Sequence, residues 1–201
     1  MIKRLSSLVL FSVLAAWLCA AGPADASRVK KVDVEALTKQ ADVIVLGSVT
    51  AVTPKLDKER GTVSTYVTVE VSYQYKGRRT KEVTIRVPGG TAEGKSLMVI
   101  GAPKFEVDDR VFLLLEKDVI DPSVYRVAGF FQGRYIIFKT KGRSYAVMDQ
   151  GKGFDLIEQC GEDKIFCLEY AGYEVSTYLS LAKRVKAVVD REIEKEKAKK
   201  K

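Results

Sequence analysis

The feature that most constrains the fold of this chain is the alternation of side chains between Val63 and Tyr75. The odd-numbered positions carry valine, threonine or tyrosine, and most of the even-numbered positions between them carry polar side chains. Successive side chains of an extended chain point to opposite faces, so a period of two held for about 13 residues predicts one long strand with a buried face.

Shorter strands are predicted on both sides of this one. A turn at residues 77–81 leads into Val83–Val87, and residues 42–52 are apolar at odd and even positions alike, as in a central strand. Further candidate strands are Val111–Leu115, Val124–Phe131, Tyr135–Lys139 and Tyr145–Met148. At least seven strands separated by turn residues predict a mostly β protein, an antiparallel barrel or sandwich.

Helices are predicted only at the two ends of the folded part. Asp33 precedes Val34–Gln40 as an N-cap, and Ser176 is placed to cap a longer amphipathic helix. The apolar residues that recur on one face of this helix are Leu181, Val185, Val188, Val189 and Ile193. We expect this face to pack on the β domain, and a face for a partner is the alternative.

The first 26 residues have the pattern of a secretory signal. Two basic residues precede an apolar run over residues 8–21, and Ala24 and Ala26 are the small residues that a signal peptidase recognises. The run is shorter than the roughly 18 apolar residues that span a bilayer, so we expect cleavage between Ala26 and Ser27. The mature protein is thus predicted to be periplasmic or secreted, without stable insertion into the membrane.

Two cysteines remain after such cleavage, Cys160 and Cys167. In an exported protein this pair predicts a disulfide bond. On one continuous helix the two residues would stand about 10 Å apart, too far to be bridged, so the bond requires a turn such as the one that Gly161 can begin. The spacing does not fit a Cys-x-x-Cys redox motif, and a four-ligand zinc site would lack two ligands.

Composition and charge exclude several classes of function. The chain has no histidine, which removes Ser-His-Asp and Cys-His catalysis and every metal site that needs histidine. Its net charge is +8, but nine of the basic residues lie in positions 183–201, so the rest of the folded part is nearly neutral. We expect no nucleic-acid partner, because such binding needs a basic face on the folded domain.

One segment matches a nucleotide-binding motif in its letters. Residues 89–96 fit the P-loop pattern, with Lys95 at the lysine position. A P-loop needs a helix that starts at its Lys-Ser pair, whereas residues 97–103 include β-branched residues and end in Gly-Ala-Pro. We expect a glycine-rich hairpin loop with Lys95 as a solvated charge, and keep nucleotide binding only as a third alternative.

Few residues point to metal or sugar sites. Glu106, Asp108 and Asp109 could gather around a calcium ion, as could Glu162 and Asp163, but neither group has the spacing of an EF-hand. No tryptophan would remain after residue 26 to stack on a sugar. The sequence therefore predicts no metal, no cofactor and no catalytic residue.

Several segments carry a resemblance to a known family. They are Ala41–Val49, Tyr66–Val71 with Lys76-Gly77, Val83–Gly90, Gly101–Phe105, Asp109–Leu115 and Gln132–Tyr135. Over about residues 40–140 the chain resembles exported bacterial proteins with a netrin-like or TIMP-like OB barrel. The resemblance implies an antiparallel OB-like β-barrel and an association with secreted metalloproteases. Animal inhibitors of this kind chelate zinc through an N-terminal cysteine, whereas this chain would begin at Ser27-Arg28, so that mechanism is not carried over.

The sequence thus predicts a signal peptide at 1–26, an OB-like β-barrel domain with a terminal hairpin at 27–172, and a C-terminal amphipathic helix with a basic tail at 173–201. The predicted function is an exported, non-enzymatic binding module for a protein, with a secreted metalloprotease as candidate partner. The alternative is a barrel that binds a small ligand or glycan. An exposed apolar patch would favour the protein partner, and a closed pocket with converging polar groups the ligand.

If Cys160 and Cys167 are bridged, reductant should lower the melting temperature of the protein. Closing a loop of about eight residues is expected to stabilise the fold by about 2 to 3 kcal/mol. Thermal unfolding with and without reductant checks this, with the double variant C160S/C167S as the reductant-insensitive control. Two free thiols in the unfolded, unreduced protein would contradict the prediction.

Overall fold

A computed structural model of the chain describes residues 31–148, 164–165, 168, 173 and 175–199. Within these residues the protein is mostly β, and its elements belong to one compact unit, Val32–Lys201. The elements are α1 (Val34–Gln40), β1 (Val43–Asp57), β2 (Thr62–Lys76), β3 (Glu82–Pro88), β4 (Gly90–Ala92), β5 (Lys95–Leu97), β6 (Arg110–Lys117), β7 (Tyr125–Val127), β8 (Arg134–Thr140), β9 (Arg143–Met148), β10 (Val175–Thr177) and α2 (Tyr178–Lys199). The predicted sites Ala26, Ser27, Cys160 and Cys167 lie outside the described residues.

Strand pairing closes a ring of five strands. β1 pairs with β2, β2 with β3, β3 with β7, β7 with β6, and β6 returns to β1. The pairing of β3 with β7 is parallel and joins Ile85 to Tyr125, which corrects the expectation of a purely antiparallel sheet. β8, β9 and β10 continue the sheet outward from β6, and β4 and β5 form a separate hairpin.

β1 closes the ring because both of its backbone edges are paired. Its residues Val43–Ser48 lie opposite β6, and Ile44–Ser48 also pair with the last part of β2, which explains why Val43–Leu46 is apolar at odd and even positions alike. Gly47 lies where the three backbones come close together. A Cβ atom there would stand 2.3 Å from the carbonyl oxygen of Glu70, so no larger residue fits without a shift of the backbone.

Alternate residues of the central strands pack into two hydrophobic cores. Val45 of β1 faces the interior of the ring with the valines of β2 and β3, whereas Ile44 faces outward to α1 and α2. The helix face predicted from Leu181 to Val189 is buried in the outer core, as expected, but Ile193 is exposed. In the described part of the chain, no helix has both the length and the apolar character needed to cross a bilayer.

The N-terminal helix begins as predicted, and the C-terminal helix does not. Asp33 caps α1, because its Oδ1 accepts a 2.7 Å hydrogen bond from the backbone N–H of Ala36. Ser176 is not a cap but part of β10, where it pairs with Ala146 of β9. The hydroxyl of Thr177 instead accepts a bond from the N–H of Ser180 at 3.2 Å. The chain therefore forms one more strand, paired with the edge of β9, before α2 begins.

The predicted strand Val124–Phe131 is shorter than expected. Only Tyr125–Val127 is extended, and the chain turns over the next residues to reach β8. Gly129 and Phe130 have positive φ angles of 62° and 72°, which a strand does not permit. The prediction therefore extended the strand four residues too far at its C-terminal end.

Candidate functional site

Two clefts open side by side next to the end of β3. The charged cleft has a volume of about 330 Å³, and four of the residues that line it are Arg86, Glu116, Asp118 and Arg126. The apolar groove has a volume of about 350 Å³ and is lined mainly by apolar side chains, among them Val52, Val67, Val99, Ala102 and Phe105. Val87, Pro88 and Pro103 line both clefts, so the two form one continuous surface.

A loop rich in exposed apolar side chains borders the apolar groove. This apolar loop, residues 97–107, includes Met98 and Ile100, which are 90% and 92% exposed, and the less exposed Leu97 and Val107. Single exposed apolar residues are common on protein surfaces. Four within one loop, beside an apolar groove, form the kind of patch that marks an interaction surface.

The far end of the apolar loop is held against the sheet by a buried ion pair. Arg134 of β8 donates from Nη2 to Asp109 Oδ2 at 2.9 Å, and its guanidinium lies 4.6 Å from the ring centroid of Phe105. The same carboxylate oxygen accepts the backbone N–H of Glu106 at 3.0 Å. These contacts fix residues 105–109, so the loop is anchored while Met98 and Ile100 remain in solvent.

The Arg134–Asp109 pair is well shielded from water, with side chains only 1% and 5% exposed. Such a pair adds little net stability compared with an apolar replacement of both partners, but loss of one partner leaves a buried charge. The main effect of the pair is therefore to fix the position of the loop on the sheet.

Two further ion pairs line the charged cleft. Arg126 of β7 lies opposite Glu116 of β6 and donates from Nη2 to its Oε2 at 2.7 Å. Arg86 of β3 directly follows Ile85, the residue that pairs with β7. Arg86 therefore lies on the strand next to Arg126. It donates from Nη2 to Asp118 Oδ2 at 2.9 Å. The pairing of β3, β7 and β6 thus brings together four charged side chains from distant parts of the sequence.

Asp118 organises the loop that follows β6. Its Oδ1 accepts the backbone N–H groups of Ile120 and Asp121 at 2.8 and 2.9 Å. Burial by itself raises the pKa of Asp118, but the hydrogen bond from Arg86 and those from the two amides outweigh it and hold the pKa below its ordinary value of 3.8. The turn leaves Val119, which lines the charged cleft, largely exposed.

The segment that matched the P-loop pattern is a hairpin, as the sequence predicted. Thr91 of β4 lies opposite Ser96 of β5, and Lys95 is exposed on β5. In a P-loop, a helix at this position would present its backbone amides to a phosphate. Here the position is occupied by β5 and the apolar loop. Within the described residues, no three acidic or cysteine side chains gather in a way that could hold a metal ion. Of the calcium candidates, Asp109 is paired with Arg134, and Glu162 and Asp163 lie outside the described residues.

The sequence prediction named Glu106, which lines the apolar groove, only as a calcium candidate, and it assigned no binding role to the four charged residues of the charged cleft. Arg86 and Glu116 stand within predicted strands, where a charged residue next to apolar ones is ordinary. Met98 and Ile100 offered a weak signal, because they lie in a segment between Lys-Ser and Gly-Ala-Pro that fits neither a helix nor a long strand. Only their exposure in the folded chain distinguishes them from core residues.

Comparison with models of protein families found no matching family, and a search of curated proteins found no similar sequence. The surface is therefore interpreted from its own geometry and chemistry.

Replacing Arg134 by methionine should strongly destabilise the fold. Arg134→Met leaves the buried carboxylate of Asp109 without its cation, which costs about 3 to 5 kcal/mol for a pair of this kind. Arg110→Met, at an exposed position of β6, is the control and should change the free energy of unfolding by less than about 0.5 kcal/mol. Urea unfolding of both variants measures the difference. Equal stabilities would show that the pair does not anchor the loop.

Asp118→Asn should flatten the dependence of stability on pH in the acid range. Because the pKa of Asp118 is lowered in the folded state, its carboxylate contributes stability that is fully present above about pH 3.8. That contribution is lost as the pH falls through the lowered pKa. Unfolding midpoints of the wild type, Asp118→Asn and the exposed control Asp190→Asn, measured between about pH 2 and 7, test this. Parallel curves for wild type and Asp118→Asn would contradict it.

Proposed function

We propose that this protein is an exported, non-enzymatic binding module that recognises a protein partner through the apolar loop and the apolar groove. The fold we assign to it is an OB-like β-barrel. The ring order β1-β2-β3-β7-β6 supports this, because a partly open, five-stranded Greek-key barrel is the architecture of OB folds. The remaining strands and both helices lie outside this ring.

The exposure of Met98 and Ile100 is the observation that carries the proposal. Full burial of one such side chain against a partner is worth about 1.5 to 3 kcal/mol. An anchored loop loses little conformational freedom on binding, so more of this gain appears as affinity. The contacts of Phe105 and Asp109 with Arg134 provide that anchor.

The apolar groove gives the surface a place for a side chain of the partner. Val52, Val67 and Phe105 lie within its lining, and the exposed charged residues Lys104 and Glu106 stand at its edge. Protein interfaces commonly combine an apolar centre with a polar rim. The groove and its surroundings have this arrangement.

The chemistry of the same surface favours binding over catalysis. Three of its carboxylates, Asp109, Glu116 and Asp118, each accept a hydrogen bond from an arginine, and the chain has no histidine to act as a base. Export follows from the signal-like first 26 residues, and the protein is assigned to the periplasm or the extracellular medium. The resemblance to TIMP-like barrels makes a secreted metalloprotease the first partner to test.

Capture of partners by crosslinking and mass spectrometry, from periplasmic extract and culture medium of the native host, tests the proposal. The variant Met98→Glu/Ile100→Glu places charges at the patch and should lose the partner, while its stability changes by less than about 0.5 kcal/mol per site. Leu179→Glu is the matched control, because Leu179 is an exposed apolar residue of α2 outside the loop.

We expect wild type and Leu179→Glu to retain the same protein and the double variant to lose it. A captured metalloprotease should then show altered proteolysis when wild-type protein is added and unaltered proteolysis with the double variant. Equal capture by all three proteins, or capture of nothing by any, would refute the proposed surface.

A further inference from the structure

We propose that the charged cleft is a second binding site, which takes a small, uncharged, polyhydroxylated ligand about the size of one sugar ring. This site borders the apolar loop and shares Pro103 with it, but it does not depend on the protein-binding function proposed above. Its support comes from the hydrogen-bonding atoms, the charge balance and the shape of the cleft.

Two polar atoms at the cleft lack a partner among the described residues. They are Nε of Arg86, a donor, and Oε1 of Glu116, an acceptor. The side chains of these residues are only 14% and 10% exposed. The other nitrogens of Arg86 donate to Ser64 and Asp118, and Oε2 of Glu116 accepts from Arg126. Buried donors and acceptors in folded proteins are nearly always satisfied by protein, water or a bound group, so a donor and an acceptor left open at one cleft are candidate contacts for a ligand.

The charge balance of the cleft selects an uncharged ligand. The described lining residues include two arginines and two carboxylates, each arginine paired with one carboxylate. A ligand with a net charge would be desolvated there without a free counter-charge, which is costly. A hydroxyl group carries no charge and can both accept from Arg86 Nε and donate to Glu116 Oε1.

The shape of the cleft fits one small ring. Its volume of about 330 Å³ is at the lower end of the range for small-molecule sites. Pro88, Pro103 and Phe130 supply apolar walls against which the C–H face of a sugar ring can pack. Phe130 has a φ of 72°, a conformation that bulky residues rarely adopt and that is concentrated at functional sites.

Access to the cleft depends on Arg126. The two unpartnered atoms are shielded from solvent, whereas the side chain of Arg126 is 43% exposed and is held by a single hydrogen bond to Glu116. A change in the rotamer of Arg126 would uncover Glu116. Ligand hydroxyls would then occupy the space between Arg86 and Glu116, while the guanidinium of Arg126 keeps further N–H donors for them.

Titration of the ¹⁵N-labelled protein, followed by NMR, tests the site. The probes are glucose, galactose and N-acetylglucosamine, up to about 50 mM, a range that detects millimolar affinity. We expect each effective sugar to shift the backbone amides of Val119, Arg126, Val127 and Gly129, while alanine and inorganic phosphate leave them unchanged. No shift with any sugar, or equal shifts with alanine or phosphate, would overturn the proposal.

Three variants locate the binding. Glu116→Gln puts an amide in place of an acceptor-only carboxylate, and should weaken sugar binding about tenfold or more, as expected for loss of a hydrogen bond to a charged group. Phe130→Gly removes an apolar wall at a position where glycine relieves backbone strain, so it should fold and still lose affinity. Glu82→Gln, an exposed carboxylate on β3, is the control and should bind as wild type.

Sugar affinity that is unchanged in Phe130→Gly would place the ligand elsewhere and refute the site, even if Glu116→Gln failed to fold. The result of the sugar titration does not depend on the result of the capture experiment, because the double variant at Met98 and Ile100 changes no residue of the charged cleft. That variant should therefore bind sugar as the wild type does.

Discussion

The pairing of β1 on both of its edges is the constraint on which the rest of the structure depends. Ile44–Ser48 pairs with β2 on one side and with β6 on the other, which turns an open sheet into a ring. Closure needs Gly47, where the backbone of Glu70 leaves no room for a side chain. It also separates two cores, because alternate residues of β1 face the interior of the ring and the two helices.

Three arginine–carboxylate pairs then fix the loops relative to this ring. Arg134 holds the end of the apolar loop, Arg86 holds the loop after β6, and Arg126 joins β7 to β6. The pairs of Arg134 and Arg86 are largely buried, and such pairs contribute little net stability but penalise other arrangements strongly, since a displaced partner leaves an unpaired charge. The exposed Met98 and Ile100 and the charged cleft therefore have defined positions on one surface.

Local sequence pattern accounts for most of the secondary structure. The period of two from Val63 onward corresponds to β2, the apolar run at residues 42–52 corresponds to the first part of β1, and Asp33 caps α1. The glycines and the Gly-Ala-Pro break around residues 89–103 identified a hairpin rather than a P-loop helix. Each of these features depends on residues close together in the chain, so side-chain spacing and turn chemistry suffice to predict them.

Tertiary structure alone decided the pairing partners, and with them the candidate sites. Arg86 meets Asp118 from 32 positions away, and the strand ending at Thr177 exists because β9 offers it a free edge. The sequence by itself determined most of the extended and helical segments and which of their faces is apolar. Which strand lies beside which, and hence which charges and apolar side chains share a surface, depends on long-range packing and backbone hydrogen bonds, which leave no periodic signal in the sequence.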